Sequence, residues 1–96
     1  VARDAFLARV REVGGSLGRK LRELAEHKRE VRQVRGVGLI WGIELTKEAA
    51  PVVEQGYAEG VIMAVAGPNV LRLVPPLIIE PEHVDQVVLA LERILA

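Results

Sequence analysis

Hydrophobic residues recur at steps of three and four over the first quarter of the chain, the spacing that places side chains on one face of an α-helix. The pattern predicts a helix over residues 2–27. Its apolar face is formed by Phe6, Val10, Val13, Leu17, Leu21 and Leu24. Gly14, Gly15 and Gly18 fall inside this helix, although each glycine costs up to about 1 kcal/mol there relative to alanine. Either another segment packs closely against these glycines, or the helix bends at them.

Short segments in which apolar residues alternate with small or polar ones predict two β-hairpins. The four predicted strands are residues 31–35, 39–45, 61–65 and 70–74. The first pair is joined at residues 36–38, where two glycines supply the backbone freedom of a tight connection. The second pair is joined by a turn at residues 66–69, which contains glycine, proline and asparagine.

Two further helices complete the predicted order. The first covers residues 49–59, with Thr46 as its cap, Pro51 in its first turn and Gly60 ending it in the left-handed conformation. The second begins at Pro81 and has an apolar stripe. The stripe consists of Val84, Val87, Val88, Leu91, Ile94 and Leu95. Residues 1–96 are therefore expected to form a single α+β domain with a small, mostly antiparallel sheet covered by helices.

Composition narrows the classes of function. Thirteen basic residues balance thirteen acidic ones, so no long-range field favours nucleic acid or an anionic membrane as a partner. The absence of cysteine excludes disulfides, thiolate metal sites and a cysteine nucleophile, and it fits a cytoplasmic location. Charged residues, glycine or proline interrupt every hydrophobic run, so we expect neither a signal peptide nor a membrane-spanning helix.

The usual catalytic groups are sparse. The hydroxyl side chains are limited to Ser16, Thr46 and Tyr57. His27 and His83 lie at predicted helix ends without a second ligand at metal spacing, and we expect both to be solvated. The glycines of residues 36–42 run into a strand and do not open a helix, which excludes a dinucleotide-binding turn. We therefore predict no catalytic residue and no metal site.

Arg72 stands inside the most apolar stretch of the chain, residues 70–79. A buried guanidinium there would need a carboxylate or phosphate partner, because an unpaired buried charge is costly. One interpretation is a bidentate anchor for the carboxylate of an amino acid or keto acid. The alternatives are an internal salt bridge, for instance to Glu44, or an arginine whose charged head reaches water at the sheet edge. The residues alone leave these alternatives open.

Three blocks of sequence resemble a known family. Residues 36–45, residues 60–63 and residues 66–77, the last with the pattern RLxPPL after a Gly-Pro-Asn turn, are similar to the C-terminal part of class III pyridoxal-phosphate aminotransferases. The resemblance is to the acetylornithine branch and extends over essentially the whole chain. The chain begins at Val1 in helix-like sequence without a methionine or a capping residue, so we expect it to be a fragment.

The resemblance implies a fold-type I aminotransferase that is a homodimer, with this chain as the C-terminal small domain packed on a large domain. It aligns Arg72 with the arginine that grips the substrate α-carboxylate, and it thereby favours the binding interpretation of that residue. Gly38 and Gly42 align with close-packing glycines of the family. Gly67, Pro68 and Asn69 align with the turn that sets the arginine strand in place.

The implied reaction moves the δ-amino group of N-acetylornithine, or of a close N-acylated analogue, to 2-oxoglutarate in arginine or lysine biosynthesis. Pyridoxal 5'-phosphate would be bound by the large domain, because Lys20, Lys28 and Lys47 lack the sequence that flanks the family's cofactor lysine. We therefore expect no cofactor-binding residue in this chain and no activity from it alone. The alternatives are a stand-alone regulatory domain of the ACT type that binds an amino acid, or a domain that only docks on another protein.

Overall fold

A four-stranded antiparallel sheet and three helices make up the regular structure of the computed structural model, which describes residues 2–73 and 81–96. The helices are α1 (Ala2–His27), α2 (Ala50–Ala58) and α3 (Pro81–Ile94), and the strands are β1 (Val31–Val37), β2 (Ile40–Leu45), β3 (Ala64–Val65) and β4 (Val70–Leu73). The strand order is β1-β2-β4-β3, and all neighbours are antiparallel. The predicted α+β class is confirmed.

Helix α1 has the predicted bounds and runs unbroken through its three glycines. A Cβ atom added at Gly14 would lie 2.2 Å from the carbonyl oxygen of Gly38, and one added at Gly18 would lie 2.4 Å from the Trp41 ring. Close packing against the first hairpin therefore explains these two glycines. Gly15 is exposed, and its added Cβ would meet only a side-chain atom at 3.6 Å.

The connection between β1 and β2 is tighter than predicted. Strand β1 continues to Val37, so the turn consists of Gly38 and Leu39 instead of residues 36–38. Gly38 has a φ of 59°, and no described residue other than glycine has a positive φ. This combination is what a two-residue II′ turn requires, with glycine at its first central position. The Trp41 indole N–H donates to the Gly38 carbonyl at 2.8 Å, and this hydrogen bond stabilises the turn.

Helix α2 begins without the predicted cap. The N-cap residue is Ala49, not Thr46, and no side chain caps the helix, which is one residue shorter at each end than predicted. Pro51 lies in the first turn as predicted. Gly60 has a φ of 83° and follows the helix in the predicted left-handed conformation.

The third strand is much shorter than residues 61–65. Val61 and Met63 are buried while Ile62 is exposed, so the alternating pattern correctly marks which side chains are buried. The Val61 N–H, however, donates to the Gly56 carbonyl at the end of α2, so it is not available for the sheet. Strand pairing begins only at Ala64. The predicted end of the following strand, from position 74, lies outside the described residues.

One face of the sheet is buried and the other is not. Trp41, Ile43 and Leu45 of β2 face the core, where they meet Leu17, Leu21 and Leu24 of α1 and Leu91 of α3 in one buried cluster. Each fully buried leucine contributes roughly 1.5–3 kcal/mol to the burial free energy. The strand residues on the other side are exposed or half-buried. We call this side the open face; by register it carries Gln33, Arg35, Val37, Ile40, Gly42, Glu44, Ala64, Val70 and Arg72.

Candidate functional site

Arg72 is displayed on the open face. Its neighbours in β4, Leu71 and Leu73, are buried in the core, and the alternation of a strand therefore turns Arg72 outward, where it is exposed. Its cross-strand partners are Gly42 on β2 and Ala64 on β3. Both partners are small, so neither neighbouring strand places a bulky side chain directly beside the guanidinium.

Gly42 forms the floor of a gap between two arginines. Arg35 of β1 and Arg72 of β4 are both paired with Gly42, one from each side, so their Cα atoms stand two strand spacings apart, about 10 Å. A Cβ atom added at Gly42 would meet its nearest atoms at 3.8–3.9 Å, which is ordinary contact. Packing among the described residues therefore does not require glycine here, and its effect is to leave space over the sheet beside Arg72.

The nearby carboxylate of Glu44 is engaged with β1. Arg35 Nη2 donates to Glu44 Oε1 at 3.3 Å, and Arg32 Nε lies 3.8 Å from Glu44 Oε2. Over residues 2–73 and 81–96, no hydrogen bond or ion pair involves the Arg72 side chain. The internal salt bridge from Arg72 to Glu44, one of the sequence-based alternatives, is therefore wrong. The sequence did not identify Arg35 and Arg32 as the partners of Glu44, because that pairing depends on how β1 aligns with β2.

The turn before β4 fixes where Arg72 stands along the sheet. Asn69 Nδ2 donates to the Leu45 carbonyl at 3.0 Å, and the Leu45 N–H donates to the Asn69 carbonyl at 2.7 Å. The Pro68 carbonyl accepts from the Ala49 N–H at 2.9 Å, which ties the turn to the start of α2. Gly67 has a φ of 151°, a value that favours glycine. The turn, Gly42 and Arg72 thus lie together, whereas Gly38 lies in the hairpin turn against α1.

The lysines are engaged elsewhere. The three pairs are Lys20 with Asp85, Lys28 with Glu92 at 3.3 Å and Lys47 with Glu30 at 3.0 Å. None of the three lysines belongs to a strand of the sheet.

The described part of the chain also has no buried polar or charged side chain and no cluster of metal-ligating groups. These residues do not fit a pyridoxal-phosphate site, because no lysine stands free beside Arg72.

The two carboxyl groups with a lowered pKa, those of Glu92 and Glu30, lie outside the strands of the sheet. His27 Nε2 lies 3.0 Å from Glu92 Oε2, and this hydrogen bond, assisted by Lys28, holds the pKa of Glu92 below its usual value of 4.5. The backbone N–H of Ala96 donates to Glu30 at 2.7 Å and is the main cause that lowers the pKa of that carboxyl. His27 is exposed, as predicted, but it also joins the end of α1 to α3.

Known proteins match this chain along almost its whole length. The model of the family described as aminotransferase class-III matches residues 1–95. The chain belongs to the class-III aminotransferases. Enzymes of this family in general use pyridoxal phosphate, and the match favours a part of such an enzyme over a stand-alone regulatory domain of the ACT type. No helix over residues 2–73 and 81–96 has the length and apolar content needed to span a bilayer.

Two curated relatives illustrate the class-III match. Acetylornithine aminotransferase of Bacillus anthracis is 41% identical over 93 residues, which cover 97% of this chain and 24% of that protein. LysW-aminoadipate semialdehyde transaminase of Deinococcus radiodurans is 40% identical over 94 residues, which cover 97% of this chain and 21% of that protein. The chain thus spans about a quarter of the length of the curated relatives it matches.

Solved aminotransferase structures share the fold. Lysine aminotransferase of M. tuberculosis superposes with a TM-score of 0.88 at 26% identity, over 98% of this chain and 22% of that one. Acetylornithine aminotransferase of Elizabethkingia anophelis superposes with a TM-score of 0.86 at 22% identity, over 99% of this chain and 25% of that one, a likeness of fold alone. The fold of a class-III aminotransferase domain, expected from the sequence, is confirmed.

Proposed function

We propose that this chain is the C-terminal small domain of an acetylornithine-type aminotransferase and that Arg72 binds the α-carboxylate of its amino-acid substrate. The observation that carries the proposal is an exposed guanidinium on the open face, flanked by Gly42 and Ala64 and without a partner among the described residues. A guanidinium binds a carboxylate through two parallel hydrogen bonds, so it fixes the orientation of the acid as well as its position.

The proposed amino donor is an N-acylated ornithine or lysine analogue, and the proposed acceptor is 2-oxoglutarate. The names of the relatives, an acetylornithine aminotransferase and a LysW-aminoadipate semialdehyde transaminase, support a donor of this chemical class. Donor and acceptor both carry a carboxylate, so one arginine would serve both halves of the reaction. The pathway would be the biosynthesis of arginine or lysine.

Arg72 would act by positioning. It holds the acid end of the substrate while the reacting amine lies at the pyridoxal phosphate, and fixing one end of a substrate removes much of the entropy cost of reaching the reactive geometry. Gly42 leaves space for the bound acid, and the turn of Gly67, Pro68 and Asn69 fixes the register of the arginine strand. The cofactor would be bound by a large domain of the same protein, in a cytoplasmic homodimer.

The test is the substitution Arg72→Ala in the full-length enzyme that carries this chain. Losing a charge-assisted contact of this kind costs about 2 kcal/mol, so we expect kcat/KM to fall about thirtyfold. Arg72→Lys keeps the charge but lacks the planar fork, and its kcat/KM should lie between those of the parent and the alanine variant. Steady-state kinetics with both substrates provide the measurement.

Arg93, in helix α3, provides a matched control. Arg93 of α3 is an exposed arginine that pairs with Glu59 at 2.8 Å, and Arg93→Gln removes the same kind of side chain away from the open face. We expect this variant to retain the parent kcat/KM. An Arg72→Ala enzyme that also retained the parent value for its carboxylate substrates would remove Arg72 from the site and end the proposal.

A further inference from the structure

Glu44 lies on the open face between two strands that each carry an arginine, Arg35 on β1 and Arg72 on β4. Gly42, two residues before it in β2, is paired with Arg35 on one side and with Arg72 on the other. Glu44 is therefore a diagonal neighbour of both arginines on the open face. Diagonal neighbours have Cα atoms about 7–8 Å apart, within reach of long side chains. By position alone, the carboxylate could pair with either guanidinium.

The structure has Glu44 turned toward β1. Arg35 donates to one carboxylate oxygen at 3.3 Å, and Arg32 approaches the other at 3.8 Å. Arg32 is the extra residue at an irregularity in the pairing of β1 with β2, between Val31 and Gln33. Both oxygens of Glu44 are thus drawn to the side of the sheet away from Arg72.

We infer that Arg35 is a positioning residue that holds Glu44 away from Arg72 and thereby keeps Arg72 available to the carboxylate of the substrate. The inference rests on the proposed function. Without Arg35, Glu44 is an internal carboxylate that competes with the substrate for the same guanidinium. The Arg72–Glu44 contact would then be autoinhibitory, and Arg35 prevents it without touching the substrate.

Competition of this kind has a kinetic signature. An internal competitor lowers the fraction of enzyme that is ready to bind, so it raises KM but is overcome at saturating substrate. The Arg72 residue is exposed and the Glu44 side chain is 26% exposed, so a competing pair between Arg72 and Glu44 would be a surface-type ion pair. Pairs of this type would raise KM about two- to sixfold and leave kcat unchanged.

The experiment compares Arg35→Gln, Arg32→Gln and the double variant Arg35→Gln/Glu44→Gln in the full-length holoenzyme, with N-acetylornithine as the donor. We expect Arg35→Gln to raise the KM about two- to sixfold at unchanged kcat, and the double variant to return it to the parent value. Arg32→Gln removes the same charge from the same strand but leaves the hydrogen bond of Arg35 to Glu44 in place. Its KM should rise less.

Each other outcome overturns the inference. A parent-like KM in Arg35→Gln, or a raised KM that persists in the double variant, means that Glu44 does not compete for Arg72. Equal rises in Arg32→Gln and Arg35→Gln mean that only the net charge matters. If Arg35→Gln does not fold, Arg35→Met replaces it and should raise the KM in the same way, whereas Arg35→Lys should not, because it retains a cation for Glu44.

Arg72→Ala, measured in the same series, separates this inference from the proposed function. If kcat/KM falls in Arg72→Ala while Arg35→Gln behaves like the parent, only the positioning role of Arg35 fails. If Arg72→Ala has no effect, the carboxylate site itself is wrong, whatever the Arg35 variants do.

Discussion

Gly14 lies where α1 meets the first hairpin, at a position with no room for a side chain. The Cβ of Gly14→Ala would lie 2.2 Å from the Gly38 carbonyl oxygen, a backbone atom fixed in a tight turn. We expect the clash to cost about 1–3 kcal/mol, more than the gain in helix propensity of up to about 1 kcal/mol. The free energy of unfolding of the full-length protein, measured in urea, should therefore fall.

Gly15 supplies the matched control one position away. It is exposed, and the nearest atom to an added Cβ is the end of the flexible Arg19 side chain at 3.6 Å. Gly15→Ala should therefore raise the free energy of unfolding by about 0.5–1 kcal/mol through helix propensity alone. Equal stability of the two variants would contradict the packing described here.

The placement of Arg72 could be predicted from the sequence, but its surroundings could not. The alternation of Leu71, Arg72 and Leu73 is sufficient to turn the arginine away from the core. Whether Glu44 can pair with Arg72 depends on which strands lie beside β2 and on the register of their pairing. That information comes from pairings distant in sequence, so the local pattern left the choice of partner open.

Contact between α1 and α3 through Glu92 predicts a dependence of stability on pH. The pKa of Glu92 in the folded chain is lowered from 4.5 chiefly by the hydrogen bond from His27, so folding favours the charged carboxylate. This contribution is fully present above pH 4.5 and is lost as the pH falls through the lowered pKa of the folded state. Glu92→Gln should therefore weaken the loss of stability on acidification. Urea unfolding from about pH 7 to about pH 3 measures the effect, and an identical pH profile in the variant would contradict it.

Helices were easier to predict than strands in this chain. Periodicity predicts the bounds of α1, and the second half of its predicted apolar face, from Val13 to Leu24, is buried, whereas Phe6 is exposed. The alternation at residues 61–65 correctly predicts which side chains are buried, but it does not predict which residues pair with another strand. The Val61 N–H donates to the Gly56 carbonyl at the end of α2 and not to a strand. Thr46 failed as a cap because α2 begins further along the chain, after Ala49, whose N–H is bound by Pro68.

The whole molecule presents apolar side chains on its open face. Val37 and Ile40 are directly paired across the first hairpin and are 80% and 60% exposed. If residues 1–96 are produced alone, this pair is not covered by the rest of a longer enzyme, and we expect self-association at high concentration. Light scattering over a concentration series should show it, and Ile40→Lys should reduce it. A monomer at millimolar concentration would contradict the expectation.

The central claim is that Arg72 acts on the carboxylate of the substrate, and one kinetic comparison tests it most directly. The full-length enzyme and its Arg72→Ala variant are assayed with two amino donors that differ only in the presence of the α-carboxylate. We expect the loss in kcat/KM of about thirtyfold for the donor with the carboxylate and less than about a twofold loss for the donor without it. Equal losses for both donors, or no loss for either, would contradict the claim.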